Sequence, residues 1–274
     1  MYRCKVSFLI LSILILVGCN EDIEENPIIT VLMYHHFEQD AATSLIVDPN
    51  LFRQQLIALK EAGFTSIREK DLLLHLTEGK QLPENPLVIT IDDGYLSNFK
   101  LAYPILQEQE MYATLYVIGH SRGQTPGEFP HFSWEQAKEM YESGWIDIQS
   151  HTYDHHYSIE GINGKGPVLS TKMVTDGIEE SEEEYKQRIF EDLLKIKLEI
   201  EKNVGNEVYS FTYPYGGYNE TVIEILKEIG YKLSYTVEEG IMSNKQSRYT
   251  IPRINVDGRE NPEELIQKIL KYHE

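Results

Sequence analysis

Two hydrophobic rhythms alternate along this chain. Short apolar or β-branched runs at residues 28–34, 64–67, 87–91, 113–118, 145–149, 208–213, 231–237 and 251–256 predict buried strands. Between them, apolar residues recur every three or four positions and predict helices. The first covers 48–63, with Phe52, Leu56 and Leu59 on one face and Gly63 as its stop. Others cover 70–77, 98–109, 133–142, 181–204, 219–229 and 262–272. Strands followed by helices predict an α/β fold with a parallel sheet wrapped by helices. At this length a single distorted (β/α) barrel is expected rather than an open doubly wound sheet. No glycine-rich dinucleotide fingerprint follows any strand, which argues against the nucleotide-binding version of the open sheet.

Residues 1–18 stand outside this rhythm. Arg3 and Lys5 precede an apolar run from Phe8 to Val17 broken only by Ser12, the pattern of a secretory signal and short for a bilayer span. The run closes on Leu16-Val17-Gly18-Cys19, which resembles the lipobox of bacterial lipoproteins. That resemblance implies that Cys19 becomes the first mature residue and carries the lipid, anchoring an exported protein to the outer face of the bacterial membrane. An uncleaved signal-anchor helix is the alternative. Polar residues 19–26 then form a tether, and 27–274 one catalytic domain.

Composition narrows the class. Both cysteines, Cys4 and Cys19, lie in the leader, so the exported domain has neither thiol nor disulfide and must rest on its core. The formal net charge is −19, and removing residues 1–18 takes away two cations and no acid. This argues against nucleic acid as a partner. No linker, repeat or low-complexity tract divides the chain, and no protein partner is predicted. Eighteen tyrosines against nine phenylalanines and two tryptophans offer flat faces and hydroxyls suited to sugar rings, although half-buried barrel positions account for most of them.

Each residue that suggests chemistry falls where a predicted strand ends: His35, then Asp92-Asp93-Gly94, then His151-Thr152-Tyr153-Asp154-His155-His156, then Tyr213-Pro214-Tyr215-Gly216. In a (β/α) barrel those ends share one rim. Paired carboxylates at the mouth of an apolar strand, with imidazoles on the same rim, suggest a divalent metal with an acid or base beside it. His120 and His131 flank a Gly/Pro-containing rim loop, 119–130, and 157–176 is a long polar connection.

In sequence order, Thr90-Ile91-Asp92-Asp93-Gly94, His151-Thr152-Tyr153-Asp154-His155 and Tyr213-Pro214-Tyr215-Gly216 resemble the first three motifs of the polysaccharide deacetylases, the NodB-homology domain or family 4 carbohydrate esterases. The likeness spans about residues 27–260. It implies a NodB-type barrel that hydrolyses N-acetyl groups of N-acetylglucosamine units in a cell-wall or extracellular polysaccharide, using one divalent metal. Zinc is the expected ion, with cobalt or nickel as substitutes. Asp93 and two histidines would hold the ion, Asp92 would act as general base, and Pro214 and Gly216 would shape a loop whose Tyr215 N–H stabilises the oxyanion. The histidines are His151 with His155, as in the usual H-[ST]-x-x-H, or His151 with His156, as in the His-Thr-Tyr-Asp-x-His of the poly-N-acetylglucosamine branch.

Two family features are missing. Thr212 stands where the third motif has an arginine that orients the catalytic aspartate; Arg253 is either its replacement from another strand or a surface ion pair. The late leucine-x-histidine that supplies the general acid is also absent, leaving only His273 near the C-terminus. Val31-Leu32-Met33-Tyr34-His35-His36 resembles the opening of the branch with permuted strand order, which makes His35 the general acid and His36 structural. Two other functions stay open: an O-acetyl esterase of the acetylxylan type, and a catalytically silent carbohydrate-binding lipoprotein.

Overall fold

The computed structural model describes residues 27–243 and 246–273; the expected signal peptide and tether lie outside the described residues. Eight strands make the main sheet: β1 (Thr30–Tyr34), β2 (Thr65–Ser66), β3 (Pro86–Ile91), β4 (Ala113–Val117), β5 (Ile146–Ser150), β6 (Ser210–Thr212), β7 (Leu233–Tyr235) and β8 (Ile254–Asn255). They run parallel in the order β7-β6-β5-β4-β3-β1-β8, with β2 beside β3. Ile251, just before β8, bridges Tyr235 of β7, so one extended segment joins both sheet edges and the sheet curls into a distorted (β/α) barrel of NodB type.

Among the described residues, seven α-helices accompany the sheet: α1 (Pro49–Glu61), α2 (Glu69–Glu78), α3 (Tyr103–Glu108), α4 (Trp134–Glu142), α5 (Glu182–Asn203), α6 (Glu220–Ile229) and α7 (Pro262–His273). Their starts are chemically fixed. Asp48 caps α1 ahead of Pro49, and capping boxes of Ser133 with Gln136 and Ser181 with Glu184 open α4 and α5. Alternate strand residues face two apolar layers. Leu32, Ile89 and Leu115 meet the helices, whereas Val31, Val88, Tyr116 and Tyr235 fill the barrel, with Leu72 and Leu73 of α2 in the same layer. Burial on both faces is why the strands read as unbroken apolar runs, and each such side chain contributes about 1.5–3 kcal/mol.

Two expectations need correction. The helix expected at 98–109 opens with a wide π-turn, Asn98–Ala102, because Pro104 has no N–H to continue an α-helical ladder. The polar connection after Tyr157 contains two antiparallel hairpins, Ser158–Gly161 with Gly164–Pro167 and Val174–Thr175 with Ile178–Glu179. Their strands are too short and exposed to leave an apolar signal. His273 ends α7, its Nε2 lying 2.9 Å from Thr30 Oγ1 at the other end of β1 from His35. Among the described residues, no helix is long and apolar enough to cross a membrane.

Candidate active site

Strand register sets the site. Tyr34 of β1 pairs with Ile91 of β3, so His35 and Asp92 leave adjacent strands at one height. Val117, Ser150 and Phe211 align across β4, β5 and β6, which puts His151 level with Thr212. Asp92 is 2% exposed and meets Arg253, which is fully buried: Nη1 donates to Oδ1 at 2.9 Å and Nη2 to Oδ2 at 2.7 Å. Arg253 also donates to the Thr236 carbonyl and the Thr90 hydroxyl. Burial pushes the Asp92 carboxyl up, but Arg253 and His151 more than offset it, and the group stays ionised below its usual range.

Immediately after Asp92 the chain reverses through two left-handed residues, Asp93 (φ 71°) and Gly94 (φ 72°). Buried Arg122 holds this turn from behind, donating to the Asp93 and Gly94 carbonyls at 2.9 Å each. A β-carbon on Gly94 would lie 2.4 Å from Arg122 Nη1, so a side chain here would push the guanidinium off the turn as well as strain a left-handed backbone. Thr152 (φ 74°) and Tyr215 (φ 55°) are also left-handed, at the ends of β5 and β6. Each of the three that are not glycine, Asp93, Thr152 and Tyr215, costs about 1–2 kcal/mol, and all three border one rim.

The turn aims Asp93 at two imidazoles. Asp93 Oδ1 lies 3.5 Å from His151 Nε2 and 3.2 Å from His156 Nε2, and the three donor atoms fall within 4.8 Å of one another. Ligands about 2.0–2.1 Å from a tetrahedral zinc sit roughly 3.3 Å apart, so this donor set suits such an ion. Tautomers agree. His151 Nδ1 is 2.8 Å from the Thr212 carbonyl, which can only accept, so Nδ1 carries the hydrogen and Nε2 the lone pair. The Tyr215 hydroxyl donates to the His156 carbonyl, leaving its oxygen to accept from His156 Nδ1 at 3.3 Å. Burial pushes the Asp93 carboxyl up, yet His151 and His156 pull it well below its usual range; the same pairing raises His156 despite burial.

His155 does not join the cluster. Its ring turns to Asp192 on α5, with Nδ1 3.7 Å from Oδ1. Of the two histidine pairs open in the sequence, the fold brings His151 and His156 to Asp93. His35 is half-buried at the site, its carbonyl held by Asn98 at 2.8 Å, and its Nδ1 has no hydrogen-bond partner among the described residues. Burial lowers its pKa against the pull of Asp93 and Asp92. His36 Nδ1 instead contacts Ser97 Oγ at 2.9 Å, and its ring stacks on Phe129. Pro214 and Gly216 flank the tight turn that presents Tyr215, which is 55% exposed. Beside the cluster opens a cleft of about 420 Å³, lined by Tyr95, Phe129, His131, Asp154, His156 and Tyr157.

Sequence reading missed Arg122, Asn98 and Asp192, which act on backbone or through tertiary contacts and carry no motif. Thr212 had a usable signal. It occupies the missing arginine's place and supplies the carbonyl and hydroxyl that meet His151 Nδ1.

Residues 79–234 match the sequence profile of the polysaccharide deacetylase family. The chain belongs to that family. Among its relatives, the Bacillus subtilis (strain 168) protein YxkH is 31% identical over 226 residues, 82% of this chain and 70% of that one. The poly-beta-1,6-N-acetyl-D-glucosamine N-deacetylase of Escherichia coli (strain K12) is 29% identical, covering 89% of this chain but 38% of that longer protein. The solved Streptococcus pyogenes deacetylase PplD, in complex with acetate, superposes with a TM-score of 0.72 at 26% identity, over 89% of this chain and 99% of that one. A polysaccharide deacetylase barrel with a candidate metal site is therefore established.

Proposed function

We propose that this chain is a zinc-dependent N-deacetylase that removes acetyl groups from N-acetylglucosamine units of an extracellular or cell-wall polysaccharide. One observation carries the reading: Asp93 Oδ1 faces His151 Nε2 and His156 Nε2 beside a second carboxylate, Asp92, held ionised by Arg253. Asp93, His151 and His156 would hold the ion; when bound, it polarises the amide carbonyl and acidifies a water molecule. Asp92 accepts the proton of the attacking water, and Arg253 fixes its orientation and charge. The Tyr215 N–H, on the turn shaped by Pro214 and Gly216, faces the developing oxyanion. His35 delivers a proton to the departing amine, and the cleft past His156 receives the sugar chain. The leader Leu16-Val17-Gly18-Cys19 supports an exported protein anchored by a lipid on Cys19 to the outer face of the bacterial membrane.

Acetate release from β-1,6-linked N-acetylglucosamine oligomers tests this reading. Metal-loaded protein is expected to release acetate, chelated protein to stop, and zinc to restore it. Turnover of acetylated xylan with none of the amide substrate would replace the reading with an esterase.

A further inference from the structure

We propose that Asp192 is the positioning residue that holds His156 over Asp93, an inference resting on the metal-site reading above. Asp192 projects from α5, far along the chain from the histidine loop, and is 7% exposed. Both its oxygens are committed to that loop: Tyr153 N–H donates to Oδ2 at 2.9 Å and Asp154 N–H to Oδ1 at 2.8 Å. These charge-assisted bonds to consecutive amides fix the peptides that follow left-handed Thr152. From the other side, Gly119 and His120 N–H groups donate to the Thr152 and Tyr153 carbonyls. With residues 152–154 clamped in this reversed path, the chain returns His156 to Asp93 while His155 turns inward against Asp192. Asp192 hydrogen-bonds the Tyr153 and Asp154 amides rather than Asp93 or His156. Its effect on the ion therefore runs through loop geometry, as for outer-shell partners of metal ligands.

Asp192→Asn keeps the size but sets an N–H₂ against one amide N–H; Asp192→Glu keeps the charge one methylene further out. Glu191→Gln, an exposed neighbour on the same helix, is the control. Zinc affinity is measured by chelator competition on the full chain, alongside melting temperature and the cobalt absorption spectrum. In Asp192→Asn, or in Asp192→Glu should the first not fold, zinc affinity is expected to fall about 10- to 100-fold. The cobalt bands should change, kcat should recover partly at saturating zinc, and KM should hold. Glu191→Gln should match wild type. Folded Asp192 variants with unchanged zinc affinity and cobalt spectrum overturn the proposal. Wild type that binds no zinc instead removes the metal-site reading itself.

Discussion

Arg253 grips Asp92 with both arms of its guanidinium, at 2.9 and 2.7 Å, in the closed interior of the barrel. Arg253 reaches Asp92 from the segment entering β8, which pairs with β1. Removing the cation would strand a carboxylate with 2% exposure, a change that costs about 3–5 kcal/mol in comparable pairs. Since Arg253 helps hold the Asp92 pKa below its ordinary value against burial, Arg253→Leu should raise it. The acidic limb of the kcat profile then moves to higher pH and kcat falls, whereas Arg253→Lys keeps part of both. An acidic limb that stays in place in the folded Leu variant would mean Asp92 is not the titrating base.

His35 is assigned the proton for the leaving group, and an amine needs that proton more than an alcohol does. His35→Gln should therefore lower amide turnover by about 10²–10⁴-fold and ester turnover much less. The comparison uses N-acetylglucosamine oligomers against an O-acetyl sugar. Equal losses on both would assign His35 to another step.

The sequence made the barrel legible because its central strands are buried on both faces and α1, α4, α5 and α6 open on capping side chains ahead of buried apolar positions. The rim was legible for a similar reason, since Asp92, Asp93, His151 and Tyr215 all lie within three residues of a strand end. The second histidine was not. Whether His155 or His156 returns to Asp93 depends on a left-handed Thr152 and on Asp192 from α5, neither of which the local pattern encodes. Arg253 was legible only as a candidate, because its partner is fixed by the pairing of β8 with β1. The hairpins after Tyr157 escaped because glycine-bearing two- to four-residue strands have no hydrophobic period.

Glu69 makes stability depend on pH away from the site. It is 2% exposed and accepts from Tyr116 Oη at 2.8 Å and Ser210 Oγ at 3.0 Å. Burial nevertheless lifts its pKa from 4.5 to about 7. The folded protein thus binds more protons than the unfolded chain between these values. This contribution is fully present below pH 4.5 and is lost as pH rises through 7, on the order of 3 kcal/mol. Urea midpoints at pH 5 and pH 8 should fall less in Glu69→Gln than in wild type. Parallel losses in the two proteins would leave Glu69 without this role.

Bound zinc per chain, measured by elemental analysis after dialysis, tests the Asp93–His151–His156 site most directly. Wild type and His155→Ala should each retain one ion and release acetate from N-acetylglucosamine oligomers, whereas His156→Ala should lose both the ion and activity. Full zinc in His156→Ala with none in His155→Ala would contradict the site.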